Sequence, residues 1–285
     1  MLLHGIVHRP GREPSQRVGV LISSYVDVSS KVGPHRVYFQ TCEAMAGAGF
    51  YALRFDCRGL CDSPGILKPA LSERIADFRA AAAFFRSSYR LDALVGWGLC
   101  GGATLLLHCA TTSSPEEERF DGLVLCNILG DPAVVSTFKD GDLLISARRI
   151  FLNGSPLQKL LQLPRKFHIY RQNLPKLAAK LFKRYTKPQA EYEEIRTAAS
   201  RVQQLLAQYS KPTQIICAAK DPCQKEVIKW KNGNHRQDWV VMEDADHVFA
   251  SAEQKARLIH HTLEWLEKFR MGNLPNLQRR GSGPM

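Results

Sequence analysis

None of the eight cysteines stands in a CxxC pair or at metal-ligand spacing, so the chain carries neither a zinc-site pattern nor a disulfide framework. They are scattered at 42, 57, 61, 100, 109, 126, 217 and 223. Several fall in apolar, strand-like runs, where a free thiol behaves as a small hydrophobe. A reducing cytoplasm is the expected compartment. No apolar run approaches the roughly 20 residues that cross a bilayer. The N-terminus lacks the basic, apolar, small-residue order of a secretory signal. Nothing in the pattern calls for a metal, nucleotide or flavin, so no cofactor is expected.

Acidic residues are missing from one long stretch. Between Arg148 and Lys187 there is no Asp or Glu, while Arg148, Arg149, Lys159, Arg165, Lys166, Arg171, Lys176, Lys180, Lys183, Arg184 and Lys187 lie there. Much of the net charge of +12 sits in this stretch. A basic stripe is either a solvated helical face or a docking surface for an anionic membrane or an acidic carrier. Without aromatic-interleaved basic motifs, nucleic acid is not an expected partner. The rest is ordinary: 285 residues, 45% hydrophobic and 23% charged, can bury a substantial core.

Along the chain, apolar runs alternate with helical patterns. Strands are expected over Arg17–Ser24, Tyr51–Asp56, Leu91–Trp97, Gly122–Asn127, Thr213–Ala219 and Asp238–Met242. Helices are expected over Tyr38–Gly49, Leu71–Tyr89, Ala103–Thr111, Gln224–Asn232 and Ala252–Arg270. That rhythm predicts an α/β chain with a mostly parallel central sheet and helices on both faces. It breaks over 128–210, which reads as a basic helical cap or lid inserted between core parts 1–127 and 211–271. The Pro-, Gly- and Arg-rich segment 272–285 is expected to be a flexible tail. A cap in that place lies over the carboxyl ends of the strands, where open α/β sheets bind ligands.

The most specific signal is Gly98-Leu99-Cys100-Gly101-Gly102, between an apolar strand and a helix. Strand, Gly-x-nucleophile-x-Gly, helix is the context of a nucleophile elbow. The turn is so tight that a Cβ at Gly98 or Gly102 would clash. Cys100 is thereby thrown above the sheet at a helix N-terminus, where orphan N–H groups favour a thiolate. A thiol nucleophile needs a base, and the base an orienting carboxylate. His247 and Asp221 each follow a strand end, so the order Cys100, Asp221, His247 allows all three to converge on one sheet edge. Asp131 is the alternative acid; Asp244 and Asp246 are too close in sequence to His247 to reach its far nitrogen. The Gly101 N–H and the Tyr25 N–H are the expected oxyanion donors. His4-Gly5 precedes the Arg17–Ser24 strand and reads as part of an early strand. His35 and Arg36, beside the presumed oxyanion loop, are candidate substrate-binding residues, with helix capping as the alternative. Arg58 and Asp62 are expected to form an ion pair that shapes a turn.

From Leu3 to about Phe269 the chain resembles the α/β-hydrolase superfamily, whose nucleophile–acid–base order matches Cys100, Asp221 and His247. More narrowly it resembles the exosortase A system-associated hydrolases of bacteria. The residues that carry this are Leu3-His4-Gly5-Ile6-Val7-His8-Arg9-Pro10, Val32-Gly33-Pro34-His35-Arg36, Leu53-Arg54-Phe55-Asp56-Cys57-Arg58-Gly59-Leu60-Cys61-Asp62-Ser63 and Gly98-Leu99-Cys100. The resemblance implies an α/β-hydrolase fold and an intracellular enzyme linked to exopolysaccharide production or envelope sorting. Two departures stand out. The run Leu3–Pro10 lies almost at the start, so a preceding edge strand is not expected. Gly101 stands where that subfamily leads one to expect a larger polar residue.

The expected activity is acyl hydrolysis of an ester or thioester, small or carrier-bound, through a Cys100 acyl-enzyme. Acyl transfer through the same intermediate is the near alternative, and a catalytically silent scaffold is another. The expected place is the cytoplasm, with peripheral contact at the inner membrane through the basic cap.

Overall fold

The computed structural model describes residues 2–23, 30–65, 70–112, 115–128, 199–233 and 236–274. Of the cap expected at 128–210, only 128 and 199–210 fall within them. Tyr25, Asp131 and 275–285 lie outside the described residues. The chain divides into two units, Met1–Pro132 with Arg201–Met285, and Ala133–Ser200. The first carries the whole described sheet.

Seven strands form that sheet: β1 (Gly5–His8), β2 (Val18–Ser23), β3 (Tyr51–Phe55), β4 (Ala93–Leu99), β5 (Gly122–Cys126), β6 (Thr213–Ala218) and β7 (Asp238–Met242). Their order is β1-β3-β2-β4-β5-β6-β7. β1 is antiparallel to β3 and every other pairing is parallel. The continuous apolar runs read from the sequence are what a sheet buried on both faces requires. Around it lie α1 (Val37–Gly47), α2 (Leu71–Tyr89), α3 (Gly101–Thr111), α4 (helical over 201–208), α5 (Gln224–Lys229) and α6 (Ala252–Arg270). α1 begins one residue earlier than expected and stops two short of Gly49, which takes φ +88° beyond its end. α5 is shorter than expected because the chain tightens into a 3-10 turn over Trp230–Gly233.

Alternate strand residues feed two cores. Leu21, Leu53, Leu94, Leu123, Leu125 and Ile215 pack with Phe78, Phe85 and Leu106 on the α2–α3 side. Val20, Ile22, Val95, Trp97, Val124 and Ile216 pack with Tyr38, Met45, Leu258 and Trp265 on the α1–α6 side. The buried stripe of α6, Leu258, Thr262, Trp265, Leu266 and Phe269, has helical spacing. Its Thr262 hydroxyl meets the Trp97 indole N–H at 3.3 Å, tying α6 to β4 just below the elbow. Among the described residues no helix is long and apolar enough to cross a membrane.

The turn after β3 corrects one expectation. Arg58 does not pair with Asp62. Its guanidinium turns to α2, where it meets Asp77 at 2.7 Å and Glu73 at 3.2 Å, and its own N–H donates to Asp77 at 2.9 Å. Asp62 instead binds the Lys31 ammonium, which also contacts Asp56 at 2.6 Å. Asp77 is fully buried, and only a neighbouring cation and amide make its charge tolerable there. Asp77→Ala should therefore destabilise the protein by about 3–5 kcal/mol, the cost of stranding one partner of a buried pair. Urea unfolding of the variant against the parent reads this directly, and a shift under about 1 kcal/mol would refute it.

Candidate active site

The carboxyl ends of β4, β5, β6 and β7 share one edge, and the chemistry-bearing residues stand there. Cys100 follows β4 with φ 56° and ψ −125°, a conformation that an L residue adopts only under constraint. The constraint is backbone. The Cys100 N–H donates to the Cys126 carbonyl at 2.9 Å, and its carbonyl accepts from Ala103 N–H at 3.0 Å. A Cβ at Gly98 would lie 2.6 Å from the Ala103 nitrogen, and one at Gly102 would lie 2.6 Å from the Ser23 carbonyl oxygen. Both glycines are thus steric necessities of the turn. Gly101 opens α3, so its N–H is one of the amides that a helix leaves without an internal acceptor.

His247 follows β7, and its Nδ1 lies 2.5 Å from Oδ2 of Asp221, which follows β6. Cys100 stands close enough to the same imidazole to perturb it, and the ring nitrogen that Asp221 does not hold is Nε2. Asp221 is 5% exposed and also accepts the Cys223 N–H at 3.0 Å. Burial works against protonated His247, yet hydrogen bonds and charge from Asp221 and Cys100 raise its pKa to about 10. Burial alone would raise the Asp221 carboxyl, but His247 and Cys223 outweigh it and hold it below the ordinary carboxylate value. The arrangement can hold an imidazolium against sulfur and carboxylate, which is what thiol acyl chemistry needs.

The neighbouring acids have other partners. Asp244 pairs with Arg257 at 2.6 Å, and Asp246 accepts the Val248 and Ala250 amides, shaping the His247 turn. His35 and Arg36 are exposed with positive φ of 48° and 63°. Arg36 stacks 4.7 Å over Phe39, and the His35 carbonyl accepts from Lys255 at 3.0 Å. No hydrogen bond or ion pair joins either side chain to Cys100, Asp221 or His247. His4 and Gly5 serve β1, as expected of an early strand: the His4 carbonyl accepts the Asp56 N–H, and Gly5 pairs with Phe55.

Asn127 is a residue that pattern reading missed. It is fully buried with φ 46°, one residue past β5. Its Nδ2 donates to the His247 carbonyl at 2.9 Å, its Oδ1 accepts Ala218 N–H at 2.7 Å, and its own N–H donates to Ile216 at 2.8 Å. One amide side chain therefore ties the His247 loop to the end of β6. Its only local signal is Asn at the end of an apolar run, a residue tolerant of the left-handed region.

With this geometry in view, no protein-family model and no curated protein matches the chain. Solved structures do. The chain is similar to Est1E from Butyrivibrio proteoclasticus, solved with ferulic acid bound: TM-score 0.61, 12% identity, covering 93% of this chain and 94% of that one. An α/β serine hydrolase homologue from Coxiella burnetii matches with TM-score 0.57 and 15% identity, over 93% and 91% of the two chains. Dienelactone hydrolase from Anabaena variabilis matches with TM-score 0.56 and 12% identity, over 93% and 91%. The chain has the α/β-hydrolase fold.

Two outcomes follow from this geometry. The pairing of His247 stabilises fully below its ordinary pKa of 6.5 and is lost as pH rises towards about 10. That of Asp221 is present above the ordinary 3.8 and lost as pH falls below it. The Tm gap between the parent and His247→Asn should be widest from about pH 4 to 6.5 and close towards pH 10; a pH-independent gap contradicts it. Asn127→Asp keeps the acceptor for Ala218 but strands the His247 carbonyl. It should cost about 1–3 kcal/mol in denaturant unfolding and slow alkylation of Cys100, and an unchanged alkylation rate would count against the tie.

Proposed function

We propose that the protein is an acyl hydrolase, an esterase or thioesterase that works through an acyl-enzyme on Cys100. One observation carries the reading: Asp221 holds His247 by Nδ1 at 2.5 Å on the sheet edge where the elbow after β4 presents Cys100. Est1E, a serine hydrolase homologue and a dienelactone hydrolase among the structural neighbours support ester chemistry on this fold.

In the proposed reaction the Cys100 sulfur attacks the acyl carbonyl while His247 holds the proton that left the thiol. The tetrahedral oxyanion is met by the Gly101 N–H, and by the Tyr25 N–H as the proposed second donor. Collapse breaks the ester or thioester bond, and His247 passes its proton to the leaving alkoxide or thiolate. His247 then takes a proton from water, which attacks the thioester; the acid departs and Cys100 is regenerated. Asp221 fixes the imidazole with Nδ1 protonated throughout and stabilises its cationic form. The motif resemblance supports grouping this activity with the exosortase-associated hydrolases. The basic stretch Arg148–Lys187 would then receive an acidic carrier or an anionic surface bearing the acyl group.

Sulfur at position 100 favours a second reading, acyl transfer, because a thioester intermediate also yields to amines and alcohols. A screen of p-nitrophenyl and acyl-CoA esters by chain length, with free acid and acceptor-bound acyl measured together, separates the two. Free acid should dominate, and acceptor-dependent product in excess would replace hydrolase by transferase. Iodoacetamide at neutral pH should modify Cys100 ahead of the other seven cysteines, and more slowly in His247→Asn. Cys100→Ala should lower turnover by about 1000-fold or more. Equal labelling of all thiols, with full turnover in Cys100→Ala, would instead mark a scaffold.

A further inference from the structure

Ser23 ends β2 at the elbow, and its hydroxyl stands where the strand calls for an apolar group. Alternate residues of β2 share a face, so Ser23 points to the α2–α3 side as Leu21 does. It pairs in register with Gly98, and a Cβ built on Gly102 would stand 3.0 Å from its Oγ. The residue is 0% exposed, and its Oγ has no hydrogen-bond partner. A buried hydroxyl left unpaired costs stability that an alanine would not, so its presence calls for a use. What it adjoins is the first turn of α3, an 11-residue helix whose Gly101 and Gly102 N–H groups have no acceptor within the helix. Unpaired donors from two elements therefore meet next to Cys100, at the positive end of the α3 dipole.

We propose that Ser23 is a positioning residue of the oxyanion hole, whose rotatable O–H turns towards the negative charge that forms beside Gly101. Sealed from solvent, it does not touch substrate; it acts through the first turn of α3, from behind the amides. In the resting fold the hydroxyl proton has no acceptor, so no existing bond must break for it to turn. When the Cys100 sulfur adds to an acyl carbonyl, the C=O electron pair moves to oxygen and charge develops at the Gly101 N–H. The Ser23 dipole then aligns with the amides of α3, and exclusion of water leaves that alignment unscreened. A methyl group in its place would fill the same space and give no such response. The unpaired hydroxyl is thus a small loss of stability retained for a charged intermediate.

This rests on the acyl chemistry of the proposed function, and the test separates the two. The full-length parent, Ser23→Ala and Thr41→Val are compared. Thr41 is a fully buried residue of α1 whose hydroxyl is also unpaired, on the other side of the sheet. Each protein is assayed with p-nitrophenyl esters, with iodoacetamide alone, and with trifluoromethyl hexyl ketone as a protector of Cys100 against iodoacetamide. The ketone takes the Cys100 sulfur at its carbonyl carbon and keeps the oxyanion, with the thiol proton left on His247 and no leaving group. Ser23→Ala should lower kcat and weaken ketone protection by on the order of tenfold each, less than the loss of a direct oxyanion donor. Its KM and its alkylation by iodoacetamide, which forms no oxyanion, should stay within about twofold of the parent, and its Tm should not fall. Thr41→Val should match the parent in kcat and in protection. Full kcat and full protection in Ser23→Ala overturn the proposal and leave the hydrolase reading standing. An equal loss in Thr41→Val, or a loss in Ser23→Ala that comes with slower alkylation and a lower Tm, marks a structural role and also overturns it. Weaker ketone protection in Ser23→Ala, in a protein that hydrolyses no ester, upholds the proposal and sinks the hydrolase reading alone. A parent that neither hydrolyses esters nor binds the ketone sinks both.

Discussion

The close approach of α3 to β2 and β4 decides where the sulfur goes. Ser23 ends β2 beside Gly98 of β4, and its carbonyl oxygen leaves no room for a Cβ at Gly102. Gly98 faces the Ala103 nitrogen at the same closeness. The helix can therefore start immediately after the strand, and the one residue between them must take positive φ. Cys100 accepts that strain because its amide and carbonyl are both hydrogen-bonded, to β5 and to the first turn of α3. Replace either glycine and α3 must move from the sheet, taking the Gly101 N–H with it. The elbow is thus a packing solution whose by-product is an outward-facing side chain.

The partners of that side chain come from loops that buried Ala245 and Phe249 seat on the core and hydrogen bonds hold in register. Asn127 joins the His247 carbonyl to the Ala218 amide, so the His247 loop and the end of β6, which leads to Asp221, share one rigid reference. Asp246 folds the backbone around His247 by taking the Val248 and Ala250 amides. Asp221 anchors itself through the Cys223 amide before it meets the imidazole. Each tie satisfies a polar group that burial would otherwise penalise, so the same bonds that stabilise the loops also orient the site.

Much of this was legible because it is local. Six strands, the elbow and the positions of Asp221 and His247 just past strand ends all follow from runs and turns within a dozen residues of each other. What could not be read depends on which distant segments meet. Arg58 has Asp62 four residues away, yet its charge goes to Asp77, because α2 returns a buried carboxylate to the β3 turn. Asn127 looks like any residue ending a strand until β6 and the His247 loop close on it. The positive φ of His35 and Arg36 turns the chain into α1, a role that only the backbone of the folded chain displays. The basic stretch is conspicuous in sequence precisely because it lacks acids, but charge alone selects no partner.

The presence of sulfur where this fold commonly carries a hydroxyl changes what the other members of the site must do. A serine needs its proton removed as it attacks, so the base should be neutral beforehand. At His247 burial works against the charged ring, but interactions with Asp221 and Cys100 outweigh it and raise the pKa to about 10. On the proposed acyl-enzyme route, a cationic imidazole would be a ready acid for the leaving group but a poor base for the incoming water. Acylation of Cys100 would change one of the interactions that hold the His247 pKa up, and deacylation would draw on the resulting fall. Sulfur would then couple the proton affinity of His247 to the state of Cys100, while Asp221, held below the ordinary carboxylate value, would limit that fall.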